Sequence, residues 1–310
     1  MASIRSRVLY RIYKLRTSPF DPKYSIEQQR LNLEKLAKRA SVPREVAVER
    51  VTVGERPGEW LRPAVATPDR VVLYLHGGGY CAGSCGTHRA LAARVAVTSK
   101  APVLLLDYRL APESPFPAAL DDAVAAAGWL GDQGIEPGKV AFIGDSAGGG
   151  LAVATALSLR DAGRPLPAAL VCLSPWTDLT GSGESVKTCA RLDPLLKADS
   201  GKVIVPAYLG DTDPRSPLVS PIFADLTGLP PLLIQVGDHE ILLSDSLRLA
   251  DVAREAGVEV SVDVWKGMWH VWQAMAGLIP EAQRAIDEVG AFLDERLSPD
   301  EAGVGQRGGA

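Results

Sequence analysis

No stretch of the 310 residues is apolar over the roughly 18–20 positions that a membrane-spanning helix requires, so stable membrane insertion is not expected. The N-terminus, MASIRSRVLYRIYKLR, lacks the apolar centre and small-residue cleavage site of a secretory signal. Cytoplasmic residence is therefore the default expectation. Cysteine is scarce. Cys81, Cys85, Cys172 and Cys189 are too few and too scattered for a disulfide framework. Cys81 and Cys85 make a C-x3-C pair, but no second Cys/His pair completes a metal site at the usual spacing. Excess positive charge is absent too: the net charge of −4 offers no basic field for nucleic acid.

What remains is a chain 46% hydrophobic, long enough for one large α/β domain or two ordinary ones. Residues 1–45 read as helical, with SIEQQRLNLEKLAKRA the clearest segment and Pro43 closing it. Ile4, Val8, Ile12 and Leu15 recur at helical spacing, with Arg5, Arg7, Arg11 and Lys14 mostly off that stripe. The stripe predicts an amphipathic helix packed on the rest of the chain, with a helix lying on a membrane surface as the alternative. From about 47 the period changes. VAVERVTV, VVLYL, APVLLLDYR, KVAFIGD, AALVCLSPW, PPLLIQVGD and VEVSVDVWKG read as strands, most of them alternating with helical segments. That rhythm predicts an α/β fold with a mainly parallel sheet of about eight strands and helices on both faces. Ligands on such a sheet sit beyond the carboxyl ends of its strands. A Pro-, Asp- and Ser-rich insertion at 178–230 breaks the rhythm and is placed to fold over that edge. One catalytic domain over 46–297 is expected, with 1–45 and 178–230 forming a helical cap. The tail, 298–310, is expected to be disordered. A free sheet edge also offers a route to a homodimer.

FIGDSAGGG at 142–150 puts Ser146 between an apolar strand and a helix rich in small residues, the setting of a nucleophile elbow. Gly144 and Gly148 give the sharp turn room that a Cβ would fill. Neither a Walker loop nor a dinucleotide loop matches the stretch. A serine hydroxyl needs a base, and there are only four histidines. In the chain order serine, acid, histidine, only His270 in KGMWHVW fits third place. The acid that orients it falls after strand PLLIQVG, which leaves Asp238, Glu240 and Asp245 open. Developing negative charge in acyl transfer needs preorganised N–H donors. HGGG at 76–79, directly after VVLYL, has the form of such a loop, and the amide of Ala147 follows the serine.

With HGGGY, GDSAGG and GMWH in that order, the chain resembles the hormone-sensitive-lipase-like carboxylesterases, bacterial family IV. DYRLAPESPFPAALDD and YLGDTDPRSPLVSPIFADLTGLPPLLIQVGDHEILLSDS resemble the same family, so the likeness runs from about 70 to 275. It implies an α/β-hydrolase fold with a helical cap, no cofactor, and hydrolysis of short- to medium-chain esters. It also implies Ser146 as nucleophile and His270 as base. Glycine-run amides (Gly77, Gly78 and Gly79, the last two foremost) with Ala147 become the oxyanion donors. Aligning the family's acidic box with EILLSDS puts Glu240 in the acid position, with Asp238 the competitor. Asp122 and YRLAPE fall to holding the core. Lactone, amide or carbamate hydrolysis would use the same machinery. A ligand-binding protein on this fold, a different class, would be expected to lack the base.

Overall fold

In the computed structural model, which describes residues 2–38 and 40–298, two helices come first: α1 (Ile4–Lys14) and α2 (Ile26–Ala37). Each is entered through a serine whose hydroxyl accepts the N–H three residues on, Ser3 from Ser6 and Ser25 from Gln28. Strands β1 (Val46–Val53) and β2 (Arg56–Pro63) follow, then β3 (Val71–Leu75), α3 (Cys85–Ser99), β4 (Val103–Leu106) and α4 (Ala118–Asp132). Next come β5 (Val140–Asp145), α5 (Ala147–Asp161) and β6 (Ala169–Leu173). The insertion contains a short α6 (Ser185–Thr188) and α7 (Gly201–Leu209). The chain then returns through β7 (Leu232–Gly237), α8 (Leu243–Glu255), β8 (Val260–Trp265) and α9 (Pro280–Leu297). The expected tail lies outside the described residues from 299 onward.

Among the described residues the sheet has eight strands in the order β1-β2-β4-β3-β5-β6-β7-β8. β2 runs antiparallel to both its neighbours, and the other pairings are parallel. Strand periodicity sends alternate side chains to two cores. Leu73 and Leu75 of β3 belong to the core that also takes in residues of α4, α5 and α8, while Val72 and Tyr74 belong to the core shared with α3 and α9. All four are fully buried, and each such side chain contributes roughly 1.5–3 kcal/mol of transfer free energy.

Two features differ from the reading of the sequence. β2, RPGEWLRP, is a strand that the sequence reading passes over, and it carries Pro57 and Pro63, residues disfavoured within a sheet. Both prolines sit toward its ends, and buried Trp60 and Leu61 between them supply the packing. The second is the side by which α1 packs on the rest of the chain. The helix packs through Ser6, Leu9, Tyr10 and Tyr13, the opposite side from the predicted stripe. Ser6 Oγ donates to Glu281 of α9 at 2.5 Å, and the Tyr13 ring lies 6.0 Å from that of Trp269. Ile4, Val8, Ile12 and Leu15 face outward. The N-terminal segment is also tied to the insertion, with Tyr10 Oη donating to Leu192 O at 2.8 Å and Ser200 Oγ to Phe20 O at 3.0 Å.

Candidate active site

β5 ends in Asp145, α5 begins at Ala147, and Ser146 between them adopts φ 54°, ψ −122°. A side-chain-bearing residue at positive φ is strained and persists only where its surroundings hold it. Here Ser146 N donates to Leu173 O at 2.8 Å, and its own carbonyl accepts from Trp176 N at 2.9 Å. The flanking glycines permit the turn sterically. A Cβ on Gly144 would stand 2.0 Å from Gly148 O, and one on Gly148 2.0 Å from Leu75 O.

His270 follows β8, in a turn seated on the fully buried Met268 and nearly buried Trp269. Its Nε2 lies 3.0 Å from Ser146 Oγ and its Nδ1 3.0 Å from Glu240 Oε2. The other oxygen of Glu240 accepts from Gly237 N at 2.6 Å and from Ser174 Oγ at 2.8 Å. Glu240 is fully buried, and burial pushes its carboxyl above the ordinary value, against the pull of His270. Burial also opposes charging of His270. The hydrogen bond and charge of Glu240 outweigh it, helped by Asp193 and Asp145, so the imidazole is held above its usual 6.5.

The other two carboxylates are engaged elsewhere. Asp238 turns back to accept from Gly267 N at 2.6 Å. Asp245 accepts from Thr177 N at 3.0 Å and Asp178 N at 2.9 Å, and burial pushes it up to about 7. Asp122 clasps Arg109 through its backbone N–H and guanidinium, which fastens YRLAPE to α4 as expected.

Around the glycine loop one expectation is corrected. The Gly77 N–H already donates to Asp145 Oδ1 at 3.2 Å, so it is not a free donor for substrate. The amides of Gly78, Gly79 and Ala147 have no acceptor among the described residues. Gly78 and Gly79 line the same cavities as Ser146. Asp145 also accepts from Tyr74 Oη at 2.8 Å and faces His88 Nε2 at 3.2 Å. Burial alone would raise its carboxyl, but His88 and the Tyr74 hydroxyl hold it below its usual value.

Four supporting residues were not anticipated. Ser174 bridges the site, donating to Glu240 while accepting from Val271 N at 3.1 Å. Its place at the carboxyl end of β6 was the available signal. Asp193, buried in the insertion, accepts from Leu195 N, Leu196 N and Ile241 N, which joins that loop to the turn bearing Glu240. It lies in irregular chain that carries no signal. Asp145, with His88, buttresses the glycine loop.

Two cavities meet at Ser146. One, about 510 Å3, runs between Trp176, Ile204, Val205 and Leu242. The other, about 450 Å3, runs past His270, Trp269 and Met275 to α1.

The family model for the alpha/beta hydrolase fold matches residues 72–274. An acetyl-hydrolase of Streptomyces hygroscopicus is 51% identical over 243 residues, covering 78% of this chain and 81% of that one. An esterase of Acinetobacter venetianus is 39% identical over 230 residues, covering 74% and 76%. Among solved structures, an esterase from the bacterial hormone-sensitive lipase family superposes with a TM-score of 0.92 at 43% identity, over 96% of this chain and all of that one. An esterase/lipase from an uncultured bacterium gives 0.92 at 42% identity with the same coverage.

Proposed function

The chain belongs to the α/β-hydrolase-fold esterases related to bacterial hormone-sensitive lipase, and on that premise we propose that it cleaves carboxylic esters by acyl transfer to Ser146. The observation that carries the assignment of residues is the unbroken chain from Ser146 Oγ through His270 to buried Glu240, with both contacts at 3.0 Å.

His270 takes the serine proton as Oγ attacks the ester carbonyl. The carbonyl oxygen becomes an oxyanion, met by the amides of Gly78, Gly79 and Ala147. Glu240 fixes the tautomer that leaves Nε2 free to accept, and stabilises the imidazolium once formed. That imidazolium protonates the departing alcohol, leaving an acyl-serine. Water, deprotonated by the same nitrogen, then releases the acid and restores the hydroxyl. The N-terminal segment and the 178–230 insertion act as a cap over the two cavities, one for the acyl chain and one for the alcohol. Their hydrogen bonds to one another support that role.

Cavities of this size, mostly apolar in lining, suit short and medium acyl chains. With p-nitrophenyl esters, kcat/KM is expected to be greatest at about four to eight acyl carbons and to fall at least tenfold by about sixteen. A chromogenic series, with lactones and anilides alongside, tests this. A lactone or anilide hydrolysed faster than every simple ester would overturn the ester assignment.

A further inference from the structure

α1 presents two faces of different chemistry. Its inner face is spent on Glu281 and Trp269. Its outer face carries an apolar stripe open to water: Ile4 is 72% exposed, Val8 51%, Ile12 40% and Leu15 89%. At helical spacing the stripe is bordered by Arg7, Arg11 and Lys14 on one side and by Arg5 and Arg16 on the other, all exposed. None of these five cations forms an ion pair with a carboxylate among the described residues. The first sixteen residues contain no Asp or Glu, so the remaining chain has 28 Lys and Arg against 37 Asp and Glu, a charge of −9. The first sixteen residues thus carry five cations and no carboxylate in a chain that is otherwise net acidic.

A protein partner could cover the apolar stripe, but both flanks being cationic favours a broad anionic plane. We propose that α1 docks the protein on anionic lipid bilayers, lying parallel to the surface. Ile4, Val8, Ile12 and Leu15 enter the headgroup boundary, and Arg5, Arg7, Arg11 and Arg16 meet lipid phosphates, while the Lys14 ammonium donates to Arg191 O of the insertion. The placement has a consequence for entry. Ile12 and Arg16 also line the cavity that reaches Ser146, together with exposed Leu278. Docking therefore sets the mouth of that cavity against lipid. This consequence alone rests on the esterase reading, under which esters dissolved in a membrane become accessible substrates.

Flotation of the intact chain tests the docking without recourse to hydrolysis. Vesicles of phosphatidylcholine with about 30% phosphatidylglycerol, at roughly 50 mM salt, are expected to carry the protein upward. Pure phosphatidylcholine vesicles are expected to carry about tenfold less, and Val8→Asp/Leu15→Asp should lower binding by about tenfold or more. Neither Val8 nor Leu15 lines a cavity at Ser146. Folding of that variant is checked by its melting temperature, and Arg7→Gln/Arg11→Gln supplies an independent loss of charge. No flotation of the parent, or equal flotation of parent and both variants, overturns the proposal. So does a concentration-dependent dimer that Val8→Asp/Leu15→Asp dissolves, since the stripe would then be covered by a second copy. A protein that floats yet hydrolyses no ester would contradict the esterase reading and leave the docking intact.

Discussion

Replacing Ser146 with alanine is expected to lower kcat by about 10^4- to 10^6-fold with little change in KM. The substitution removes only the side-chain hydroxyl and leaves a backbone held by Leu173 O and Trp176 N, so the elbow and both cavities remain. Substrate should still bind, but His270 would have no hydroxyl to deprotonate. Any residual rate would come from water attacking a carbonyl polarised by the amides of Gly78, Gly79 and Ala147. Steady-state kinetics on a soluble acetate ester measures this. A loss of less than about tenfold would remove Ser146 as nucleophile.

Glu240→Gln is expected to cost about 10^3- to 10^4-fold in kcat, whereas Asp238→Asn should stay within about threefold. The reason lies in the donors around Glu240. Gly237 N–H and the Ser174 hydroxyl both point at one oxygen, so a glutamine would keep its carbonyl there and turn its NH2 toward His270 Nδ1. That NH2 donates, which places the imidazole proton on Nε2, the nitrogen that must accept from serine. Asp238 meets Gly267 N through one oxygen, which asparagine reproduces. The pH profile separates the two further. His270 acts as base only when neutral, so the wild-type rate should fall as pH drops through the raised imidazole value, above 6.5. Without the carboxylate charge, burial dominates and draws that value down, so the acidic limb of Glu240→Gln should move to lower pH. An unmoved limb would show that Glu240 does not act on His270.

The sequence made Ser146 and His270 legible because each sits in a short motif with a required place in chain order. Choosing among the carboxylates was harder. Asp238 and Glu240 lie on one turn after β7, and only the direction of each side chain distinguishes them. Asp238 points back to Gly267, Glu240 inward to His270. Sequence spacing does not encode that direction. The glycine loop posed the same difficulty, since HGGG predicts available amides but not that Asp145 engages the first of them. β2 carries two prolines, and its burial comes from neighbours distant in the chain. The α1 stripe obeys the same 3.6-residue period whether it faces core or solvent, so periodicity shows the stripe but not the side it faces. Asp193 and Ser174 act through contacts across the fold and leave almost no local trace.

Acyl transfer to Ser146 requires a covalent acyl-enzyme at that one serine. Rapid acid quench of the intact chain during turnover of a p-nitrophenyl ester, followed by peptide mass spectrometry, reads it. The predicted result is an acyl adduct confined to the peptide carrying Ser146 and absent from Ser146→Ala. An adduct on any other residue, or turnover that persists in Ser146→Ala without one, would contradict it.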